Sequence, residues 1–404
     1  MLVPKFKSLG ARQVEAGALR SVLAHLGVVA SHTGEPFTEE LLFGIGGGAG
    51  LGYFVYQSKD YLAPFVATRI TTQEMPQASF LRTICERLGL GVKVQSTSSA
   101  ATAEKKLVQT LAGGRPLIAW VDPRRLPYHG TPNGYHTLVV YGWDERSDVV
   151  HVADRCVKAL TLTRAELAAA RQGEGAPKFR ALVVDVPRGQ TVVNAQTAVK
   201  QGLRDFCQQM QHGFGPANFK SNFGLRALLK WADLLIDNQD RRGWLKLFPR
   251  GPRLFDASSS AYDQIENRGG GESAFRSMYA GFLVEADRVF KKRGFSDVAE
   301  QFCESGRLWS ELSEAFLPDS VPLFKEAKRL MTRKRVLFEK KGMASIDETQ
   351  TIKTQLDAIR LVVGKEFPLS KGEVMDLLTE LCDRILAIHD VEAQAVRELQ
   401  ALIR

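Results

Sequence analysis

GYHTLVVYGWDERSDVVHVAD, residues 134–154, reads as a strand, a tight turn and a second strand. His136 opens the first strand, and Leu138, Val139, Val140 and Tyr141 carry it. Residues 142–148 (GWDERSD) supply the turn. Val149, Val150, His151, Val152 and Ala153 carry the return strand, which ends on Asp154. β-Branched and aromatic runs on either side of a Gly/Asp/Ser cluster are a hairpin signal. Antiparallel pairing brings the start of one strand toward the end of the other, so His136 and Asp154 are expected to meet. A carboxylate beside an imidazole is half of a catalytic triad. The nucleophile is missing from this stretch.

Short helices and strands lie around the hairpin. Val14, Ala18, Val22 and Leu26 share one helical face over 14–26, with Gly27 as the stop. Thr38 is a fitting N-cap for a short helix over 39–43, and the Gly-rich run GIGGGAGLGYFVYQ (44–57) follows. Residues 79–88 and 101–112 read as helices, 91–95 and 117–121 as strands. Beyond the hairpin, Thr163 and Glu166 fit a capping box, and 181–186 is a last apolar strand. Helices followed by strands describe an α+β domain rather than a βαβ repeat.

Past residue 190 the strand signals fade. Leu225, Leu228, Leu229, Ala232 and Leu235 form one apolar stripe; Phe275, Met278, Tyr279, Phe282 and Ala286 form another. Ser370 and Glu373 open a long final helix with Val374, Leu378, Leu381, Ile385 and Ile388 on its face. The Pro, Ser and Gly clusters within 249–271 read as a loop. The expected domains are therefore 1–190 and 191–404.

With 404 residues, 44% hydrophobic and 25% charged, the chain has ample material for two globular cores. No apolar run approaches the roughly 20 residues of a membrane span, and the first residues lack a secretory h-region. The five cysteines are scattered, without CxxC spacing, and the histidines show no metal-ligand spacing. This argues against a disulfide framework or a zinc site and fits a cytoplasmic protein. A net charge of +9 permits an anionic partner without pointing to specific nucleic-acid binding.

The first domain resembles the N-terminal domain of the butirosin biosynthesis protein H family. The pieces that carry the resemblance are GALRSVLAHLG (17–27), LLFGIGGGAGLGYFVYQ (41–57), LPY (126–128), and YHTLVVYGWDE with VHVAD (135–154). The second domain is similar to a helical domain of unknown function often joined to it, through GLRALLKWADLLIDNQDRRGW (224–244). The resemblance implies a papain-like α+β fold, related to the cysteine peptidases that trim double-glycine leader peptides, followed by a mainly helical domain. In that family a Cys at the start of the first helix, a His opening a central strand and an Asp on the next strand form the catalytic group. His136 falls at the base position and Asp154 at its orienting partner. The family's His-Cys pair corresponds here to Gln13-Val14, and valine cannot attack a carbonyl. The namesake is an acyltransferase that moves an aminoacyl chain from an acyl carrier protein to an aminoglycoside amine.

The resemblance therefore implies a bacterial acyltransferase or amide-bond-forming enzyme of antibiotic or other secondary metabolism. Its partners would be an acyl-carrier or coenzyme A thioester and a small-molecule amine, with no cofactor, metal or membrane. A pseudoenzyme that binds a peptide or carrier segment without chemistry is the alternative. A hydrolase using water in place of the thiol ranks third.

Each candidate residue has a plainer reading beside its functional one. His136 and Asp154 are either a general base with its orienter or a structural hydrogen-bonded pair. Glu15 either complements the dipole of the first helix or binds a substrate amine. Gln13 either precedes the helix as an ordinary polar residue or supplies an oxyanion donor. Val14, Gly47, Gly48, Tyr53, Tyr56 and Tyr128 are candidates for lining a substrate pocket, with core packing and close backbone approach as the alternatives. The run Gly44-x-Gly46-x-x-Ala49 lacks the preceding strand of a dinucleotide fingerprint. The basic residues between Lys325 and Lys341 are either a solvated helix face or a dock for an acidic carrier. The helical domain either shapes the acceptor site or forms a homodimer interface.

Overall fold

The computed structural model describes residues 1–57, 62–69, 79–129, 136–173, 177–187, 189–267 and 272–404. In chain order its first half contains α1 (Val14–His25), β1 (Val28–Ala30), α2 (Glu39–Ile45), β2 (Ala49–Gln57), β3 (Leu62–Arg69), α3 (Ser79–Arg87), β4 (Gly91–Gln95), α4 (Ala100–Ala112), β5 (Leu117–Val121), β6 (His136–Asp144), β7 (Val149–Ala153), β8 (Leu160–Leu162), α5 (Arg164–Gln172), β9 (Ala181–Asp185) and β10 (Thr191–Val193). Helices follow: α6 (Gln196–His212), α7 (Leu225–Ile236), α8 (Trp244–Leu247), α9 (Pro252–Glu266), α10 (Arg276–Phe290), α11 (Phe295–Phe316), α12 (Pro322–Lys341), α13 (Ile346–Lys365) and α14 (Lys371–Ile403). The architecture is mixed α and β, with the large sheet in the N-terminal half and helices dominating the C-terminal half. No described helix is long and apolar enough to cross a membrane.

The hairpin of residues 136–153 lies inside a six-stranded antiparallel sheet of order β4-β9-β5-β6-β7-β8. Its first strand runs three residues further than the turn signal suggested, to Asp144, and carries a bulge between Val140 and Gly142. A bulge adds one residue to one strand and is left unpaired in the ladder. Asp144 then closes the turn by accepting from Arg146 N at 3.1 Å and Ser147 Oγ at 2.6 Å. Gly134 and Tyr135 lie outside the described residues.

One face of the sheet carries a single apolar cluster. Leu117, Ala119 and Val121 of β5, Leu138 and Val140 of β6, and Val150 and Val152 of β7 meet Leu107 and Leu111 of α4 and Leu167 and Ala170 of α5. Phe338 belongs to the same cluster, with Met343 and Ile346 packed against it. These three lie nearly 200 residues beyond the hairpin, so burial, not chain order, sets the packing.

Packing gathers the chain into two units, 1–42 with 74–198 and 335–350, and 43–73 with 199–334 and 351–404. They differ from a contiguous split at residue 190. The β2–β3 hairpin groups with the helices because its inward face is claimed there: Gln264 of α9 donates to Pro64 O at 2.9 Å and accepts from Val66 N at 3.0 Å. Residues 335–350 group with the sheet because Phe338 is buried on it.

The second unit holds several outcomes for the sequence reading. The capping box of Ser370 and Glu373 forms, and α14 buries Val374, Leu378, Leu381, Ile385 and Ile388. The stripe on α10 is buried as expected. On α7, Leu229 is exposed and Trp231 takes the buried place instead. The loop expected over 249–271 is corrected: Pro252 stands in the first turn of the fifteen-residue helix α9. Proline at that position lacks only an N–H that would have no helical partner anyway. The buried Leu254, Phe255, Ala257, Ser258, Ala261, Tyr262 and Ile265 carry the helical period through the serines. Residues 268–271 lie outside the described residues.

Candidate active site

β6 begins at His136, which pairs with Val121 of β5. On its other side β6 pairs with β7, Val140 facing Val152 and Val139 facing Ala153. Continuing that register by one residue sets Asp154 opposite Leu138. His136 stands two residues along from Leu138, so it and Asp154 are diagonal neighbours on one face of the sheet. Their side chains meet: His136 Nε2 lies 2.7 Å from Asp154 Oδ2, and both residues are buried. The pairing expected from the hairpin is therefore formed.

Two further donors complete the carboxylate. Tyr128 OH donates to the same Oδ2 at 3.0 Å, and Arg155 N donates to Oδ1 at 2.7 Å. Burial alone would push the Asp154 carboxyl up. The charge and hydrogen bond of His136 overcome it, assisted by His129 and Arg155, and hold the group well below the usual carboxylate range. Tyr128 moves the opposite way: burial, then the Asp154 charge, raises its phenol well above the ordinary value. Asp154 is thus ionised and accepts only, while Tyr128 keeps its proton and donates. An ionised carboxylate at 2.7 Å requires the proton on His136 Nε2. The lone pair of the neutral imidazole is then on Nδ1, which has no hydrogen-bond partner among the described residues. The rings of His129 and His136 lie 4.5 Å apart between centroids at 68° to one another.

The first helix approaches the same neighbourhood through its lead-in. Ala11 N donates to Arg155 O at 2.9 Å, and Ser8 Oγ to Cys156 O at 2.9 Å. Glu39, at the start of α2, accepts from Arg12 N at 2.8 Å and Gln13 N at 2.6 Å, fixing the turn into α1. Gln13 is the N-cap of α1: its side-chain carbonyl accepts from Ala16 N at 2.6 Å, and its amide donates to Glu15 at 3.4 Å. The cap engages the Gln13 side chain with its own helix, and Glu15 lies in the first turn where a carboxylate suits the dipole. Val14 is the first helical residue and is half-buried.

The remaining pocket candidates separate. Tyr128 is buried, with its hydroxyl on Asp154. Gly47, Gly48, Tyr53 and Tyr56 belong to the second unit. There a side chain at Gly48 would overlap the Tyr279 ring, as one at Gly44 would overlap Phe282, so these glycines serve close packing. Tyr53 is buried, stacked on Trp231 at 5.0 Å, and its hydroxyl accepts from Trp244 Nε1 at 2.7 Å. Tyr56 is exposed.

Among the described residues no cysteine is hydrogen-bonded to His136. Cys156 is buried, burial raises its thiol, and its sulfur turns to Lys158 O at 3.7 Å. Burial likewise pushes the thiols of Cys85 and Cys207 up to about 12 and raises that of Cys382. Cys303 is exposed in the second unit. The basic run is largely compensated: Lys325 pairs with Asp319, Lys328 with Glu314 and Asp319, Arg329 with Glu326, Arg335 with Glu339 and Lys341 with Glu348. Lys328 is buried, while Lys325, Arg329 and Lys341 are exposed. No cluster of His, Cys, Asp or Glu among the described residues could hold a metal.

The sequence reading missed Phe338. Its ring stacks on Tyr128 at 5.1 Å and 10°, with the Arg155 guanidinium 5.5 Å from its centroid. The available signal was its helical phase with Phe324, Ala327 and Leu330, which announces burial but not the partner.

Residues 13–155 match the family model described as butirosin biosynthesis protein H, N-terminal. Residues 165–322 match that of a domain of unknown function, DUF4872. No curated protein matches the chain.

Proposed function

We propose that this chain, which by its two successive matches belongs to the butirosin biosynthesis protein H-like family, is an acyl-transfer enzyme of bacterial secondary metabolism that works without a covalent acyl-enzyme. The observation that carries the reading is the buried His136–Asp154 pair, with Nε2 committed to the carboxylate and the basic lone pair on Nδ1. The family's association with butirosin biosynthesis supports antibiotic-type metabolism as the setting. The papain-like fold implied by the resemblance belongs to the same proposal.

In the proposed reaction an amine nitrogen attacks the carbonyl carbon of a carrier-protein or coenzyme A thioester. Its proton passes to His136 Nδ1, and Asp154 stabilises the imidazolium. The tetrahedral intermediate collapses, the C–S bond breaks, and the departing thiolate takes the proton from the imidazolium. An amide and a free thiol result. Direct attack on an activated thioester needs a base and correct placement, but no enzyme nucleophile. Val14, standing where the resemblance puts a cysteine, fits that route.

Release of free thiol from acyl-carrier or acyl-coenzyme A donors, with and without a primary amine, tests this. Amine-dependent release that disappears in His136→Gln supports it. Amine-dependent release that survives in His136→Gln contradicts it. The burial of His136 and the absence of an activated thiol favour a second reading, a binding protein for a carrier or peptide segment. Saturable binding of an acyl-carrier donor without thiol release would decide for that one.

A further inference from the structure

We infer that Tyr128, held in place by Phe338, is a positioning residue for the His136–Asp154 pair, so that a residue outside both matched segments helps set the geometry of the base. This rests on the reading of His136 as the base and adds two residues to it. The matches end at 155 and at 322, and Phe338 lies beyond both.

The argument starts with a shared acceptor. Asp154 Oδ2 takes His136 Nε2 at 2.7 Å and Tyr128 OH at 3.0 Å. Two donors on one oxygen compete for the same electron density, so each bond is weaker than it would be alone. They also fix the carboxylate's rotation, because a turn about the Cβ–Cγ bond would break both. Arg155 N fixes the other oxygen at 2.7 Å.

The phenol can do this only if its ring is fixed. Phe338 supplies the wall: the rings lie 5.1 Å apart and 10° from parallel, both buried. Its other neighbours in the same cluster are mainly aliphatic and aromatic, and among the described residues Tyr128 OH bonds to Asp154. The charged and titratable groups around the pair are His129, whose ring centroid lies 4.5 Å from that of His136, Arg155, whose guanidinium lies 5.5 Å from the Phe338 centroid, and Cys156, whose thiol the Asp154 charge helps to raise. The chain of contacts runs Arg155, Phe338, Tyr128, Asp154, His136. Its end from Phe338 is contributed by α12, and residues 335–350 belong to the same packing unit as the hairpin.

The test reads the His136 Nε2–H proton by nuclear magnetic resonance on the full-length protein, assigned by its loss in His136→Gln. In Tyr128→Phe the competing donor is gone, so the His136–Asp154 bond strengthens and the resonance moves downfield. Phe338→Leu keeps the phenol but frees its ring, and is expected to move the resonance the same way by less. Phe338→Tyr keeps the stack and restores the wild-type position. A resonance unmoved in folded Tyr128→Phe overturns the inference. If Tyr128→Phe does not fold, an unmoved resonance in Phe338→Leu overturns it equally. No substrate enters the measurement. A shifted resonance in a protein without thiol release would leave this inference standing and remove the acyl-transfer reading; the converse would do the reverse.

Discussion

His136 with Asp154 in the first unit and Arg276 with Glu392 in the second are both buried pairs with closest approach 2.7 Å. In the second, Arg276 Nε and one terminal nitrogen clasp Glu392, and the other terminal nitrogen donates to Gly50 O and Ala274 O at 2.9 Å. Ser305 Oγ and Trp309 Nε1 donate to the same carboxylate at 2.7 and 2.8 Å. A guanidinium stays charged at any working pH, and here its three nitrogens are all engaged inward. The pair can hold a core together but can move no proton. In the first unit an imidazole replaces the guanidinium, and one of its nitrogens has no partner among the described residues. Burial and distance are alike in the two places. What differs is a proton that can leave and a nitrogen left to receive one.

The largest expected effect separates the two pairs by activity. His136→Gln is expected to lower amide formation by about a hundredfold to ten-thousandfold, the usual contribution of a positioned general base. Arg276→Met leaves the chemistry in place, so the surviving folded fraction should turn over at the wild-type rate. Equal losses of specific activity in both variants would break the comparison.

Stability should reverse the order. Arg276→Met strands a buried carboxylate and is expected to cost about 3–5 kcal/mol in urea unfolding. Replacing both members, Arg276→Met with Glu392→Leu, should recover much of that loss. His136→Gln should cost less, about 1–3 kcal/mol, because Tyr128 and Arg155 still serve Asp154. A His136 variant less stable than the Arg276 variant would mean that the first pair is the structural one.

Asp154 sharpens the contrast through pH. Its folded carboxyl is held below the ordinary 3.8 of the unfolded chain, chiefly by His136 against the opposing effect of burial. The stabilisation it gives is complete above that unfolded value and is lost as pH falls through the lower folded one. Asp154→Asn should therefore flatten the acid side of a plot of unfolding free energy against pH. An unaltered acid limb would show that the carboxylate is not held as described.

The smallest effect belongs to Cys156. Cys156→Ala should leave turnover unchanged, because its raised thiol faces away toward Lys158 O. A packing loss of about 1 kcal/mol is the expected change. Abolished turnover in a stable variant would make Cys156 the hidden nucleophile.

Much of this arrangement was legible in the sequence for a local reason. A hairpin is fixed by adjacent residues, so β-branched and aromatic runs and turn chemistry were enough to bring His136 to Asp154. Capping boxes at Thr163 and Ser370 are equally local, and both form. What could not be read is what long-range burial decides. Tyr128 looked like a pocket residue because tyrosines line pockets, yet its ring is enclosed by Phe338, 210 residues away. The β2–β3 hairpin looked like part of the first domain because it lies early in the chain, but its backbone at Pro64 and Val66 is bonded by Gln264 of the second unit. Helix α9 was hidden by its proline and serines, whose preference for breaks is weaker than the apolar period beneath them.

Intact-mass analysis of the protein incubated with an acyl thioester in the absence of amine, followed by addition of amine, tests the central claim most directly. The account predicts an unmodified mass before the amine and amide product after it. An acyl adduct on the protein, chased into product by the amine, would contradict transfer without an enzyme nucleophile, and the adduct's position would identify the group that had been overlooked.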